Sequence, residues 1–302
     1  MRSARRVIRA LLWAIGLSIA LVAAFFLWTY WQAQQPPIVQ RHTLAVANWP
    51  AGAPPVDVLL VSDTHVVSPD MSPERLAGIV AQLNRLKPDL VVLAGDYISE
   101  KAFATHRYTA EQAIAPLAGF KARLGVVAVL GNHDHWHDQT RKAQGSPAEF
   151  RAAFAHHGIP LLINQAVRRG PLILGGLDDG ATFRDNIPKT MRAMARLGPG
   201  PYVLLSHTPV VANKLRKPVT ALLAGHTHCG QMTLPEIGRS IGPLHPRSAS
   251  LCGKMMINGT PVFIGAGLGT SIVPLRMGAP PDVWLVRFGP EEKQPMTQGR
   301  PR

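Results

Sequence analysis

The stretch VVAVLGNHD at residues 126–134 constrains the fold of this chain more than any other. Five apolar residues, three of them β-branched, predict a buried strand. The chain then breaks at Gly131, so Asn132, His133 and Asp134 are delivered at the carboxyl end of that strand. In open α/β sheets, ligands bind in the crevice outside the carboxyl ends of the strands. The stretch therefore predicts both an α/β sheet and a functional site at its edge.

The same pattern, an apolar run followed by Asp, Asn or His, occurs four more times. The runs are residues 58–62, 90–94, 203–206 and 221–224, and each predicts another buried strand. The polar residues that follow are Asp63 and His65, Asp96, His207, and His226 and His228. Any one of them alone would more often be a turn residue or a helix N-cap. The whole set predicts one site built from carboxylates, imidazoles and an amide.

The remaining elements favour a layered α/β sandwich over a simple doubly wound sheet. Strands alternate with helices in the first half of the chain, and strands dominate the second half. Helices are predicted at residues 73–86, 109–120, 147–157 and 188–197, the first and third capped by Ser72 and Ser146. Further strands are predicted at residues 161–167, 172–175, 202–206, 255–257, 262–266 and 283–288.

An apolar segment at the amino terminus predicts a transmembrane anchor. Residues 1–9 carry four arginines, and residues 10–31 are nearly all apolar. This run slightly exceeds the ~20 residues that a helix needs to cross a bilayer core. It is also longer than the apolar region of a cleaved signal peptide, roughly 7–15 residues. Trp28, Tyr30 and Trp31 at its far end are typical of an interfacial aromatic belt.

The charge on either side of the anchor predicts its orientation. The arginines of residues 1–9 place the amino terminus in the cytoplasm, and the body is then periplasmic or extracellular, with one pass through the inner membrane. Arg5 and Arg6 also match part of a twin-arginine export signal, and the alternative is that they only orient the helix. We expect a linker at residues 32–55 with an edge strand near residues 43–47. A domain at residues 56–288 and a disordered tail at residues 289–302 follow it.

The composition limits the partners. The chain has 32 basic and 18 acidic side chains and a formal net charge of +14, which suits an anionic substrate or an anionic membrane surface. Nucleic-acid binding is not expected, because no run of basic residues is interleaved with aromatic ones. Cys229 and Cys252 are too few for a disulfide framework, and we expect two unrelated thiols, although an oxidising compartment would allow them to pair.

The motifs DTH, GD, GNHD, SH and GHTH, each at the end of a predicted strand, resemble those of the calcineurin-like metallophosphoesterases. The resemblance covers about residues 56–288 and implies a layered αββα sandwich. GHTHCGQ at residues 225–231 and GLGTSIVPLRMGAPPDV at residues 267–283 are similar to the bacterial membrane-associated or exported branch typified by the YkuE and YaeI proteins.

The resemblance implies two divalent metal ions held by seven residues. One ion would be held by Asp63, His65 and His228, the other by Asn132, His207 and His226, and both by Asp96. A group that bridges two cations ~3.5–4 Å apart must offer two oxygens, and a carboxylate does so. Imidazole and oxygen ligands admit Mn, Zn, Fe, Co or Ni. We expect Mn to support activity in assays.

The expected mechanism is in-line attack on phosphorus by a hydroxide that bridges the metals. His133 would donate a proton to the leaving oxygen, and Asp134 would hold the His133 ring and raise its pKa.

A second group of residues has less specific interpretations. Arg247 and Arg276 could clamp a phosphate, and Asp178 and Asp179 could be either a pair that supports the site or a turn. His135 and His137 are expected to be solvated loop residues.

The sequence therefore predicts a membrane-anchored, dinuclear-metal phosphoesterase that hydrolyses a phosphodiester or a lipid-linked pyrophosphate. One alternative is a UDP-2,3-diacylglucosamine-type pyrophosphatase of lipid A synthesis, although the soluble enzymes of that type typically have Arg where this chain has His133. Another is a non-catalytic membrane protein that binds metal or anionic ligands. The oligomeric state is not predicted.

Overall fold

Short runs of β-branched and other apolar residues form most of the sheet structure. The computed structural model describes residues 2–135, 146–234, 239–240 and 252–291. The strands are β1 (Ile38–Ala45), β2 (Val56–Val61), β3 (Val67–Ser68), β4 (Leu90–Ala94), β5 (His106–Arg107), β6 (Val126–Val129), β7 (Gln165–Arg169), β8 (Leu172–Gly176), β9 (Tyr202–Leu205), β10 (Ala221–Ala224), β11 (Thr233–Leu234), β12 (Arg239–Ser240), β13 (Gly253–Ile257), β14 (Thr260–Ile264) and β15 (Asp282–Gly289). The helices are α1 (Arg2–Ala33), α2 (Pro73–Leu83), α3 (Ala110–Ile114), α4 (Pro147–His156) and α5 (Ile187–Arg196).

Two mixed sheets contain most of these strands. The first has the order β1-β15-β2-β4-β6, in which β2, β4 and β6 run parallel and β15 is antiparallel to β2. The second has the order β13-β14-β10-β9-β8-β7, in which β14, β10, β9 and β8 run parallel. The parallel strands at the centre of each sheet bring their carboxyl ends to one edge.

The two sheets pack face to face, with helices on both outer faces. Successive residues of β2 show the division, because Val58 and Leu60 lie in the core between the sheets, whereas Leu59 and Val61 pack in the core that contains α2, α3 and α4. A third core covers the outer face of the second sheet and includes Met194 of α5. The predicted αββα sandwich is therefore confirmed.

Side-chain caps fix where the helices begin. The Ser72 and Ser146 side chains accept the backbone N–H of Arg75 and Glu149, as predicted for α2 and α4. The helix predicted at residues 109–120 instead divides into α3 and a 3-10 helix, Ala115–Gly119. Pro116 explains the division, because it lacks the N–H that continues an α-helix.

Two predicted boundaries are corrected. Residues 38–45 of the expected linker form β1, an edge strand that pairs in parallel with β15 over its full length. The strand predicted at residues 161–167 begins only at Gln165, because Asn164 has a left-handed backbone, with φ of 53°, that interrupts the extended chain. The predicted tail lies mostly outside the described residues, as do His137 and Arg247.

Helix α1 ends in contact with the rest of the molecule. Thr29 and Ala33 are fully buried. The backbone N–H of Arg276 donates to the carbonyl oxygen of Thr29 at 3.0 Å, and Nη2 of Arg75 donates to the carbonyl oxygen of Ala33 at 3.0 Å. Most large apolar side chains along the same helix, including Trp13 and Leu27, are exposed. Among the described residues, the part of α1 from Arg5 to Ala33 is long and apolar enough to cross a membrane. The carboxyl end of this helix is bound to the sandwich.

Candidate metal centre

The carboxyl ends of β2, β4, β6, β9 and β10 bring the seven predicted metal ligands together. Six of them are almost inaccessible to solvent, and His226 is partly exposed. A hydrogen bond also joins the two sheets here. The backbone N–H of His226, which follows β10, donates to both carboxylate oxygens of Asp63, which follows β2, at 3.1 Å. The site is built between the sheets rather than at the edge of one.

The first group of converging atoms comes from Asp63, His65 and His228. Their ligand atoms all lie within 4.8 Å of one another. Nε2 of His228 is 3.0 Å from Nε2 of His65 and 3.5 Å from Oδ1 of Asp63. This is the set predicted for the first ion.

The second group surrounds Nε2 of His207. This atom lies 3.1 Å from each of Asp96 Oδ2, Asn132 Oδ1 and His226 Nδ1. The group combines one carboxylate, one amide oxygen and two imidazoles, which is the set predicted for the second ion.

Asp96 belongs to both groups. Its Oδ2 lies 3.1 Å from Nε2 of His207 and 3.7 Å from Nε2 of His65. Its Oδ1 accepts the backbone N–H of His133 at 2.9 Å, which fixes the carboxylate plane. One oxygen is therefore held by the backbone, and Oδ2 alone faces both sets of imidazoles, which corrects the expectation that a bridging carboxylate must offer both of its oxygens to the ions.

Backbone carbonyls set the tautomer of two imidazoles. Nδ1 of His65 is 2.8 Å from the oxygen of Ile98, and Nδ1 of His207 is 2.8 Å from the oxygen of Ala94. A carbonyl only accepts, so each Nδ1 carries the proton and, in the neutral ring, Nε2 presents a lone pair to the cluster. Metal-bound imidazoles are commonly oriented in this way.

The protonation equilibria also fit cation binding. Burial lowers the pKa of His65 and His228 well below the usual range, and burial together with His207 lowers the pKa of His226 to about 4. Burial also lowers the pKa of His207, but Asp96 and the other carboxylates outweigh it and raise that pKa to about 10. The carboxylates thus favour a positive charge at His207, carried by a proton when no metal is bound and supplied by a cation once that proton is released. The other three imidazoles stay neutral, the form in which imidazole binds metal.

Strained backbone is concentrated at the site. Asp63, His65, Asp96, His226 and His228 all have positive φ, between 43° and 74°. This region is uncommon for residues other than glycine, and such strain clusters at functional sites.

Glycines next to the candidate ligands allow the loops to approach one another. A Cβ on Gly131 would collide with Oδ1 of Asp96 and lie 2.6 Å from its backbone nitrogen. A Cβ on Gly225 would similarly collide with Oδ2 of Asp63. Both positions therefore require glycine for lack of space.

The structure corrects the role predicted for Asp134. Its carboxylate accepts the backbone N–H of Gly131 at 2.8 Å and those of Asp96 and Tyr97 at 2.9 Å. Burial, reinforced by Asp96, raises the pKa of Asp134 to about 7. Asp134 ties the loop after β6 to the loop after β4, and the prediction that it holds the His133 ring is wrong.

Glu100 takes the position predicted for Asp134. Its Oε2 lies 3.1 Å from Nδ1 of His133, whose Nε2 is 4.0 Å from Oδ2 of Asp96. Burial lowers the pKa of His133, but Asp96 and Glu100 outweigh burial and the net pKa is raised. Sequence reasoning missed Glu100 because it lies 33 residues from His133, and no local pattern relates the two.

His135 and Asp178 form a second buried pair beside the centre. Nε2 of His135 lies 2.7 Å from Oδ1 of Asp178, and both side chains are nearly inaccessible. The neighbouring Asp179 accepts the hydroxyl of Thr208 at 3.1 Å, directly after His207. His135 is thus not the solvated residue that was expected, and the two aspartates support the loops around the centre.

Arg276 is a structural residue and not the expected phosphate clamp. It is fully buried, and its guanidinium donates to the carbonyl oxygens of Ala266, Gly267, Gly269 and Ala279 at 2.5 to 3.0 Å. These bonds hold the loop of residues 266–269 in place. The loop passes close to Asp63, since a Cβ on Gly267 would lie 2.5 Å from Cβ of Asp63.

A disulfide joins Cys229 to Cys252. The expectation of two unrelated thiols is therefore wrong. Cys229 directly follows His228, so the bond ties the residue that precedes strand β13 to a loop of the centre. The two cysteines are 23 positions apart, and no local sequence signal predicts the pairing.

Comparison with known proteins gives a consistent result. The family described as Calcineurin-like phosphoesterase matches residues 56–230. The chain is 29% identical over 251 residues to the Bacillus subtilis protein named uncharacterized metallophosphoesterase YkuE, covering 80% of this chain and 82% of that one. It is 28% identical to the uncharacterized metallophosphoesterase YkoQ of the same organism, covering 76% and 82%.

A longer relative comes from Bos taurus and is named transmembrane protein with metallophosphoesterase domain. The identity is 25% over 265 residues, covering 82% of this chain but only 56% of the bovine protein. The chain therefore spans little more than half of that relative.

Proposed function

The chain belongs to the calcineurin-like phosphoesterase family, and we propose that it is a membrane-anchored, dinuclear-metal phosphoesterase that hydrolyses phosphodiester or pyrophosphate bonds. The observation that carries the proposal is the position of Asp96, whose Oδ2 faces His65 of one ligand group and His207 of the other. A carboxylate shared between two sets of metal-binding side chains is what a two-metal site requires.

The donor set fits two divalent ions. Asp63, His65 and His228 would hold one, Asn132, His207 and His226 the other, and Asp96 both. When bound, the ions would polarise the phosphoryl group and lower the pKa of a water toward neutrality. Because only two of these ligands are carboxylates, the occupied centre would remain cationic and would attract a phosphate anion.

His133 is the proposed proton donor. When the bond from phosphorus to the leaving oxygen breaks, its electron pair stays on that oxygen, and the proton on Nε2 of His133 transfers to it. Glu100 would fix the ring through Nδ1 and stabilise its charged form, since Oε2 lies 3.1 Å away. Asp134 would act only as a positioning residue, because its oxygens accept backbone N–H groups.

Four features support a membrane anchor or its orientation, and the last two favour a sandwich outside the cytoplasm. Helix α1 exposes apolar side chains along its length, and a relative is named as a transmembrane protein. The arginines that precede the apolar segment favour a cytoplasmic amino terminus. The Cys229–Cys252 disulfide independently supports the same topology, because disulfides persist in oxidising compartments.

The test uses the full chain in detergent, because α1 contributes contacts to the sandwich. We would remove metal with a chelator, add back Mn, and compare turnover of bis-p-nitrophenyl phosphate with that of p-nitrophenyl phosphate. The proposal predicts that Mn restores hydrolysis, with the diester preferred. The proposed phosphoester hydrolysis would be contradicted if protein that carries two metals per chain hydrolyses neither ester.

A further inference from the structure

Two large apolar side chains stand out on loops near the centre. Phe103 is 82% exposed and Ile272 is 37% exposed, and both have a left-handed backbone, with φ of 59° and 54°. Bulky and β-branched residues rarely adopt this region. We infer that these two loop tips contact the lipid bilayer at the level of its headgroups, so that the site acts on phosphate esters carried by membrane lipids. The substrate part of this inference rests on the proposed function.

The two loop tips are joined to each other. The backbone N–H of Ala102 donates to the carbonyl oxygen of Ile272 at 2.6 Å. Arg107 donates to the carbonyl oxygens of Ser99 and Lys101 at 3.3 and 3.2 Å. Phe103 and Ile272 are therefore neighbours on one surface, which we call the loop-tip surface.

Asp70 links both loops to the end of α1. Its carboxylate lies 2.5 Å from Nζ of the fully buried Lys101 and accepts the Thr270 hydroxyl at 2.7 Å. Its carbonyl oxygen accepts Nε2 of Gln34 at 3.3 Å, just beyond α1. The loop that carries Ile272 is also bound directly to α1, because the backbone N–H of Arg276 donates to the carbonyl oxygen of Thr29 at 3.0 Å.

These contacts set the depth of the loop-tip surface. Thr29 lies among Trp28, Tyr30 and Trp31, which are the predicted aromatic belt of the anchor. Trp28 and Trp31 remain 44% and 55% exposed. When α1 spans the bilayer, the loops that are hydrogen-bonded to the end of the helix lie at the membrane–water interface. The net charge of +14 also suits anionic lipid headgroups.

The loop-tip surface is linked to the centre through both of its loops. Glu100, which holds His133, immediately precedes the buried Lys101. On the other loop, a Cβ on Gly269 would lie 2.9 Å from Cβ of His65. A lipid headgroup beside Phe103 and Ile272 would thus be within a short distance of the candidate proton donor and of the first ligand group.

The first experiment measures depth and does not depend on activity. Phe103→Cys and Ile272→Cys full-length proteins would be labelled with a nitrobenzoxadiazole fluorophore and placed in phosphatidylcholine and phosphatidylglycerol vesicles that contain nitroxide-labelled lipid. Met256→Cys is the matched control, because Met256 is 63% exposed on strand β13. Wild-type protein carried through the same labelling reaction should take up no fluorophore, because its two cysteines are paired.

We expect nitroxide lipid to quench the label at residues 103 and 272 more strongly than at residue 256. The inference would be overturned if nitroxide lipid quenches the labels at residues 103 and 272 no more strongly than the label at residue 256, and aqueous iodide quenches them. Protection from both quenchers would also overturn it, because a protein contact would then cover the surface.

The second experiment tests the substrate class with one leaving group. A Phe103→Ser, Ile272→Ser double variant should hydrolyse soluble bis-p-nitrophenyl phosphate at the wild-type rate. It should hydrolyse the p-nitrophenyl phosphodiester of hexadecanol in vesicles at least about tenfold more slowly, because the lost burial of even one large apolar side chain has an effect of this order. Equal effects on both substrates would overturn the lipid preference.

The two proposals fail in distinguishable ways. If wild-type protein hydrolyses neither ester but residues 103 and 272 are quenched by lipid, the proposed function fails and the bilayer contact stands. If the soluble ester is hydrolysed and the lipid quenching is absent, the bilayer contact fails and the proposed function stands.

Discussion

Oε2 of Glu100 lies 3.1 Å from Nδ1 of His133, so the imidazole that faces Asp96 through Nε2 has a carboxylate behind it. The pair links the loop after β4 to the loop after β6. It gives His133 a fixed orientation, which proton transfer to a leaving group requires.

Replacing either member of this pair should slow hydrolysis in a way that depends on the leaving group. His133→Ala should reduce kcat by about 10²- to 10⁴-fold, most for poor leaving groups that need a proton. Glu100→Gln should cost roughly tenfold, because a neutral amide stabilises the charged ring less than a carboxylate does. Rates across a series of substituted phenol esters provide the measurement.

Glu74→Gln is the control for that series, because Glu74 is exposed in the first turn of α2. It should leave both the rate and its dependence on the leaving group unchanged. A loss in His133→Ala that is uniform across all leaving groups would remove His133 as the proton donor.

Asp134→Asn should act on stability and metal content rather than on proton transfer. An Asn side chain offers one oxygen and one NH₂ group, so at least one of the three N–H groups that Asp134 accepts would face another donor. We expect the free energy of unfolding to fall by about 1–3 kcal/mol, measured by chemical denaturation, with loss of bound metal. A dependence on the leaving group as steep as in His133→Ala would instead support the original role of Asp134.

Gly131→Ala should disrupt the centre because the added Cβ has no space. It would collide with Asp96, so the carboxylate must shift, and we expect a loss of about 1–3 kcal/mol of stability together with loss of metal. Gly78→Ala is the matched control, since Gly78 lies on the exposed face of α2 and a Cβ there meets no atom within 4 Å. It should stabilise the protein by about 0.5–1 kcal/mol. Full metal content in Gly131→Ala would show that the close approach is not required.

The disulfide predicts that protein isolated from membranes has no reactive thiol. Alkylation followed by mass spectrometry should modify neither cysteine before reduction and both after it, under denaturing conditions. Cys252→Ser should lower stability by about 3 kcal/mol, because a loop of 23 residues is no longer closed in the unfolded chain. Two alkylated cysteines without reductant would contradict both the bond and the support that it gives to the topology.

The sequence predicts the strands and their polar ends well because both signals are local. β-branched runs specify β2, β4 and β6, and Asp63, Asp96 and Asn132 follow them directly. The caps of α2 and α4 are likewise contained within four residues, as shown by Ser72 and Ser146.

The remaining features depend on contacts between distant residues. β1 is recognised as part of the sheet only through its pairing with β15, about 240 residues later in the chain. Glu100 takes the role expected of Asp134, because the Asp134 carboxylate accepts backbone N–H groups of its own loop and of the neighbouring one. The pairing of Cys229 with Cys252, and of His135 with Asp178, similarly follows from the tertiary fold.

The most direct test of the two-metal assignment is the metal content of Asp96→Ala, measured with turnover on the same preparation. Asp57→Asn is the control, because the Asp57 side chain lies away from the centre in a partly exposed ion pair with Arg287 at 3.6 Å. The proposed function predicts two metals per chain in wild-type and Asp57→Asn protein, and fewer than two, with no turnover, in Asp96→Ala. Two metals and full turnover in Asp96→Ala would contradict it.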